Sequence, residues 1–268
     1  MINSFLNINE IKIEKQFYEN GYVVINNNDS NKNFIYLKNF ILKHIKNSSK
    51  KFSNNEKYDL LDNFHKNVSV KNLNEFRLSL INKINSSKKF KKSFFFIFKE
   101  YLNIIVGSEL AIQKKFNLSI QLPKDSSSLL PLHSVVWSGD SPFEVVAWLP
   151  LVNVYKTKSM YILPPKHMDK LDKLLAEKQT YSSKKLFDKI SKYVTWIDLR
   201  FGEAIIFNQM LPHGNIVNIE NETRWTINCR FKGIFTPYGD KKVGEFFEPI
   251  TLKPISKIAM NYQFPKIK

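Results

Sequence analysis

The feature that most constrains this chain is a change of period near residue 110. Before it, Asn9 to Asn20, Asn33 to Ile45 and Asn72 to Ile84 carry apolar residues at helical spacing, with "GYVVI" (21 to 25) as one early strand. After it come short β-rich runs separated by turn residues: "FNLSIQL" (116 to 122), "PFEVVAWLPLV" (142 to 152), "SMYILP" (159 to 164), "EAIIFN" (203 to 208), "HGNIVNI" (213 to 219) and "TRWTINCRFKGI" (223 to 234). Lys170 to Lys192 interrupts them with one or two lysine-rich helices. Many short strands behind a helical half predict an α+β protein, a sandwich or cupin-like jelly roll with flanking helices, because a closed double sheet protects its own edges.

The 268 residues include 22 Phe, enough for one sizeable core, so residues 1–268 read as a single domain. Its parts are a mainly helical stretch (1–109), a jelly-roll core (110–240) and a C-terminal tail (241–268). "SFFFIFKEYLNIIVG" (93 to 107) is broken by Lys99 and Glu100 and is short for a bilayer, so it reads as a buried helix and no transmembrane segment is expected. "NNNDSNKN" (26 to 33) and "KNSSKKFSNNEK" (46 to 57) read as surface loops.

The net charge is +17, yet only four of the 41 basic residues are arginine: Arg77, Arg200, Arg224 and Arg230. Specific phosphate and base recognition favours arginine forks, and scattered lysine gives diffuse attraction only. With the richness in Asn and Ile, this looks like compositional bias, and no specific nucleic-acid partner is expected. The single cysteine, Cys229, excludes an intramolecular disulfide, and no secretory leader pattern opens the chain, so the expected location is cytoplasmic.

Five histidines are present. His44 and His65 lie in Lys/Asn-rich stretches and read as solvated, while His167 in "LPPKHM" reads as a helix cap or surface residue. His133 and His213 remain, each beside a strand and a turn, and either alone would read as a hydrogen-bonded core histidine. Eleven residues past His213 stands Arg224, with Thr226 two further on. An arginine fork and a hydroxyl sharing one strand face make a clamp for a carboxylate.

At these residues the chain resembles the Fe(II)/2-oxoglutarate oxygenases of the phytanoyl-CoA dioxygenase superfamily, "EKQFYENGYVVI" (14 to 25) matching that superfamily's opening helix and strand. More narrowly, "WSGDSPFEVVAWLPLVNVYKTKSMYILP" and "FNQMLPHGNIVNIENETRWTINCRFKGIFTPYGDK" resemble the sporadic carbohydrate cluster 2-oxoglutarate/Fe(II) oxygenases. The resemblance implies a double-stranded β-helix, His133 and His213 as iron ligands, and Arg224 with Thr226 on the far carboxylate of 2-oxoglutarate. It makes Asn215 and Gln121 weaker candidates for the cosubstrate's other end. Two imidazoles and one carboxylate on one face of Fe(II) leave room for a chelating cosubstrate and oxygen; hydroxylation is the implied outcome.

The chain departs from that pattern at one position. "PLHSVVWSGDSPFE" (131 to 144) reads as strand, turn, strand, and the aspartate of an H-x-D pair would sit at residue 135, which is valine. Three readings stay open. Glu144 substitutes, since a turn centred on Gly139-Asp140 sets it opposite Val135, with Asp140 behind it as a second choice. A halide or water fills the position. Or iron binding is weakened, leaving a carboxylate-binding relative of an enzyme. The family name points to a small, sugar-derived substrate; Lys156 and Lys158 around Thr157, and "KDSSS" (124 to 128), could line an anionic pocket, and Trp137, Trp148 and Trp225 could stack on a sugar. Oligomeric state is not readable.

Overall fold

The computed structural model describes residues 5–26, 32–48, 60–177 and 181–266. Most of the two Asn/Lys-rich segments expected as surface loops lies outside the described residues.

The first half is helical, with one strand. Helix α1 (Ile8–Asn20) starts in a capping box between Asn7 and Glu10 and ends at Gly21, which takes a left-handed φ of 75°. Strand β1 (Tyr22–Asn26) follows, then α2 (Lys32–Ser48), α3 (Val70–Ser86) and α4 (Lys88–Ile105). Helix α2 buries Phe34, Leu37, Ile41 and Ile45, and α4 buries Phe90, Phe94, Phe98 and Leu102, each a stripe at helical spacing. Helix α4 packs against the other three.

The remaining elements are β2 (Leu110–Gln113), β3 (Asn117–Gln121), β4 (Glu144–Pro150), β5 (Tyr161–Ile162), α5 (Met168–Leu175), α6 (Ser183–Ile190), β6 (Thr195–Trp196), β7 (Glu203–Asn208), β8 (His213–Gly214), β9 (Arg224–Gly233), β10 (Phe247–Pro249) and α7 (Pro254–Met260). Seven of the strands form an antiparallel sheet in the order β1-β7-β4-β9-β2-β10, with β3 also paired to β9. A smaller sheet runs β6-β5-β8 and is extended by a bridge between His213 and His133. The protein is therefore a mixture of helices and antiparallel sheet, as the change of period predicts. No helix among the described residues is long and apolar enough to cross a membrane.

Strand β9 organises the whole. Its residues alternate between two faces: Trp225, Ile227, Cys229 and Phe231 enter the hydrophobic core shared with the helices, Trp225 meeting Phe64 at 4.9 Å and Phe231 meeting Phe95 at 6.1 Å. Arg224, Thr226, Asn228 and Arg230 occupy the opposite face. There they line a cavity with their cross-strand partners Ser119, Asn117, Trp148 and Val146.

Strand β1, from the mainly helical stretch, pairs with β7, and β10, from the tail, pairs with β2. The segment 131 to 144 is not strand, turn, strand. Residues Val135–Ser138 form a 3-10 turn closed by Gly139 at φ 84°, and Glu144 opens β4 opposite Lys232 rather than facing Val135. The reason is tertiary: Ser141 Oγ donates to the Pro237 carbonyl at 2.6 Å and Asp140 is drawn to Arg230 and Lys241, so the chain is carried across to the large sheet.

Candidate functional site

The cavity has a volume of about 450 Å³ and lies between the polar face of β9 and the small sheet. His133 and His213 form one wall. Each donates its backbone N–H to the other's carbonyl, at 3.1 and 2.9 Å, and the ring centroids are 4.3 Å apart. Each Nδ1 lies beside the carbonyl two residues upstream, Pro131 at 2.8 Å and Leu211 at 2.7 Å. A carbonyl only accepts, so Nδ1 carries the proton in both rings and both Nε2 atoms keep a lone pair. Burial, helped by the neighbouring ring and Arg230, pushes His213 down to about 3, and burial followed by the Arg230 charge lowers His133 as well. Both are neutral imidazoles at physiological pH.

Arg224 stands on the floor. It is 4% exposed, its Nη1 donates to the Ser159 carbonyl at 3.0 Å and its Nη2 to Ser119 Oγ at 3.1 Å, while Nε has no partner. No carboxylate among the described residues pairs with it. Burial lowers its guanidinium to about 10, which leaves it charged at neutral pH. Thr226 lines the same cavity two residues on.

Of the other sequence candidates, some line the cavity and some do not. Asn215 lines the cavity, but its Oδ1 accepts from the Leu130 N–H and its amide reaches the Ser128 carbonyl at 3.3 Å, so it ties down the loop over the site. Gln121 faces Arg224 across β3 and β9, yet it donates to the Ile216 carbonyl at 2.7 Å and is fully buried. Lys158 is buried between Asp62 and Glu222 at 2.6 Å each, Thr157 donates to Glu220 and Lys156 is exposed, and neither lysine lines the cavity. Of "KDSSS", Ser127 and Ser128 line the cavity. Trp148 lines it too, while Trp225 is in the core with its Nε1 on the Leu61 carbonyl and Trp137 lies exposed. His65, expected as solvated, is partly buried with Nδ1 3.0 Å from Thr223 Oγ1.

Glu144 does not join the histidines. It is buried, with Oε2 3.5 Å from Arg230 Nη1, and burial raises its carboxyl above the usual range. Asp140 Oδ2 lies 3.0 Å from the same guanidinium and 2.8 Å from Lys241 Nζ. Among the described residues no three of His, Cys, Asp and Glu come together to hold a metal ion. Val135 lines the same cavity as the two histidines. Among the described residues, the two Nε2 lone pairs are donors of the kind that an imidazole-preferring metal ion takes, and no carboxylate joins them to complete a three-ligand face.

Two residues of the site escaped the sequence reading. Arg230 continues the alternation of Arg224, Thr226 and Asn228 along β9, a period-2 signal present in "RWTINCR". Arg77 reaches the cavity from α3, with no local signal.

No family model matches the chain, and no curated protein matches its sequence. Solved structures share its fold. ThoJ, described as a non-haem monooxygenase in complex with nickel, superposes with a TM-score of 0.54 at 11% identity, covering 93% of each chain. The epimerase SnoN, in complex with Fe3+, alpha ketoglutarate and nogalamycin RO, gives 0.55 at 13%, covering 90% of this chain and 98% of SnoN. Apo HygX from Streptomyces hygroscopicus gives 0.55 at 13%, covering 89% and 91%.

Proposed function

We propose that this protein is a non-haem iron, 2-oxoglutarate-dependent oxygenase built on a double-stranded β-helix, acting on a small sugar-related molecule. The observation that carries this reading is Arg224. A guanidinium buried without a counter-ion has lost its hydration for two neutral hydrogen bonds, a cost of several kcal/mol that an incoming carboxylate would offset. It faces a cavity that also presents Thr226 and two fixed imidazole lone pairs. Support comes from the likeness to ThoJ, SnoN and HygX, of which SnoN was solved with iron and alpha ketoglutarate together.

His133 and His213 would hold the metal, which when bound supplies the oxygen chemistry. The chain's own residues do the rest. Arg224 and Thr226 fix the far carboxylate of 2-oxoglutarate, the two Nδ1–H bonds keep both imidazoles in one tautomer, and Phe207, packed edge-on to His213 at 4.9 Å, keeps water from that ring. Asn215 holds the 128–130 loop over the opening. The unpaired Cys229 suits the reducing cytoplasm.

A second reading, a relative with weakened iron binding that acts as a binding protein, is favoured by Val135 and Arg230. One withholds the expected negative charge and the other places a positive one beside the histidines. Calorimetry with 2-oxoglutarate, with and without Ni(II), tests both. Under either reading Arg224→Leu removes two charge-assisted hydrogen bonds and weakens binding by about a hundredfold. Unchanged binding by that variant would show that the cosubstrate is not held at Arg224.

A further inference from the structure

The cavity's charge is one-sided. Three of the four arginines in the chain, Arg77, Arg224 and Arg230, line it, and no aspartate or glutamate does among the described residues. The three are not equivalent. Arg230 is ion-paired with Asp140 at 3.0 Å, and Arg224 is assigned to 2-oxoglutarate. Arg77 has no carboxylate partner among the described residues; its Nη2 donates to Asn74 Oδ1 at 2.7 Å, a neutral acceptor on its own helix.

Arg77 also sits where a second ligand would enter. It is partly exposed, and with Ser127 and Ser128 it separates the main cavity from an adjoining one of about 150 Å³. The serine loop is held in place rather than free. Asp125 accepts both the Ser127 N–H and its hydroxyl at 2.8 Å, and Asn215 holds Ser128 and Leu130 from the other side. Ser128 Oγ is buried without a hydrogen-bond partner. Asn117 and Asn228, joined by an amide hydrogen bond at 2.9 Å, line the same cavity.

From this arrangement we infer that the substrate of the proposed oxygenase is a sugar derivative bearing an oxyanion, phosphate or carboxylate, which Arg77 binds at the cavity mouth. An uncompensated fork is complementary to an oxyanion, and neutral amides lining the same cavity suit sugar hydroxyls. The inference rests on the reading that 2-oxoglutarate occupies Arg224, since that leaves Arg77 for the second ligand.

The test titrates the full chain with glucose 1-phosphate, glucuronate and glucose, each with and without saturating 2-oxoglutarate. At least one anionic sugar should bind, tenfold or more tightly than glucose, in the presence of 2-oxoglutarate, and the tighter of the two identifies the group. Arg77→Gln should reduce its affinity about tenfold, Arg77→Lys should recover part of it, and both variants should bind 2-oxoglutarate as the parent does. The inference is overturned if no anionic sugar binds, if glucose binds equally, if Arg77→Gln changes nothing, or if 2-oxoglutarate displaces the sugar, which would put the anion on Arg224. If the parent does not bind 2-oxoglutarate at all, the functional reading fails instead, and the titrations without it still decide what Arg77 recognises.

Discussion

Val135 and Arg230 both line the cavity that holds the two histidines, one without charge and the other cationic. Val135 lines the cavity beside His133, so a carboxylate there would place a negative charge next to two imidazole lone pairs. Val135→Asp is expected to tighten Ni(II) binding tenfold or more in calorimetry; an unchanged affinity would mean that residue 135 does not reach the ion. Glu144→Ala should leave Ni(II) affinity where it was, because that carboxyl belongs to Arg230, and loss of binding would make Glu144 a ligand after all. Lys232 offers a pH signature. Its ammonium, fully buried against the Thr236 and Pro237 carbonyls, is pushed down to about 8 from the usual 10.5 by desolvation. Folding therefore expels a proton from this group between those values, and its destabilising effect is full below about 8 and fades as pH rises. The stability of the parent relative to Lys232→Met should accordingly increase from pH 8 to 10, with a slope below about 1.4 kcal/mol per pH unit, in urea titrations. A flat difference would show that Lys232 titrates normally.

At the scale of elements, regular periodicity was legible and irregular connection was not. The stripes of α2 and α4 and the alternation of β9 are written in the sequence as periods of 3.6 and 2, and β4 and β7 as short apolar runs buried on both faces. They form as expected because each pattern matches the faces that the fold buries. The stretch Ser138 to Pro142 reads equally as a hairpin turn or as the exit of a 3-10 turn. What decides is a contact with Pro237, almost a hundred residues away, which no local pattern encodes. The same limit hid Arg77, whose place depends on α3 packing against β3. Where alternation holds, it also predicts reactivity. Cys229 points to the helical side of β9 and is wholly buried, which pushes its thiol well above the ordinary range. Folded protein should resist Ellman's reagent and release one equivalent of thiol in urea; prompt labelling of the native chain would place Cys229 on the cavity face.

Across the whole molecule one sheet separates two environments, a continuous apolar core under the helices and a cationic cavity under the small sheet. The excess of lysine does not define that cavity; arginine does. Strand β9 borders both compartments and is hydrogen-bonded to β4, β3 and β2 along its ten residues. Exchanges at Asn228 or Thr226 alter what the cavity touches and leave the core alone. A single codon inserted near the middle of β9 is another matter. Every residue beyond it would change sides, Arg230 entering the phenylalanine core and Phe231 the cavity, so this strand can drift by replacement but cannot change in length.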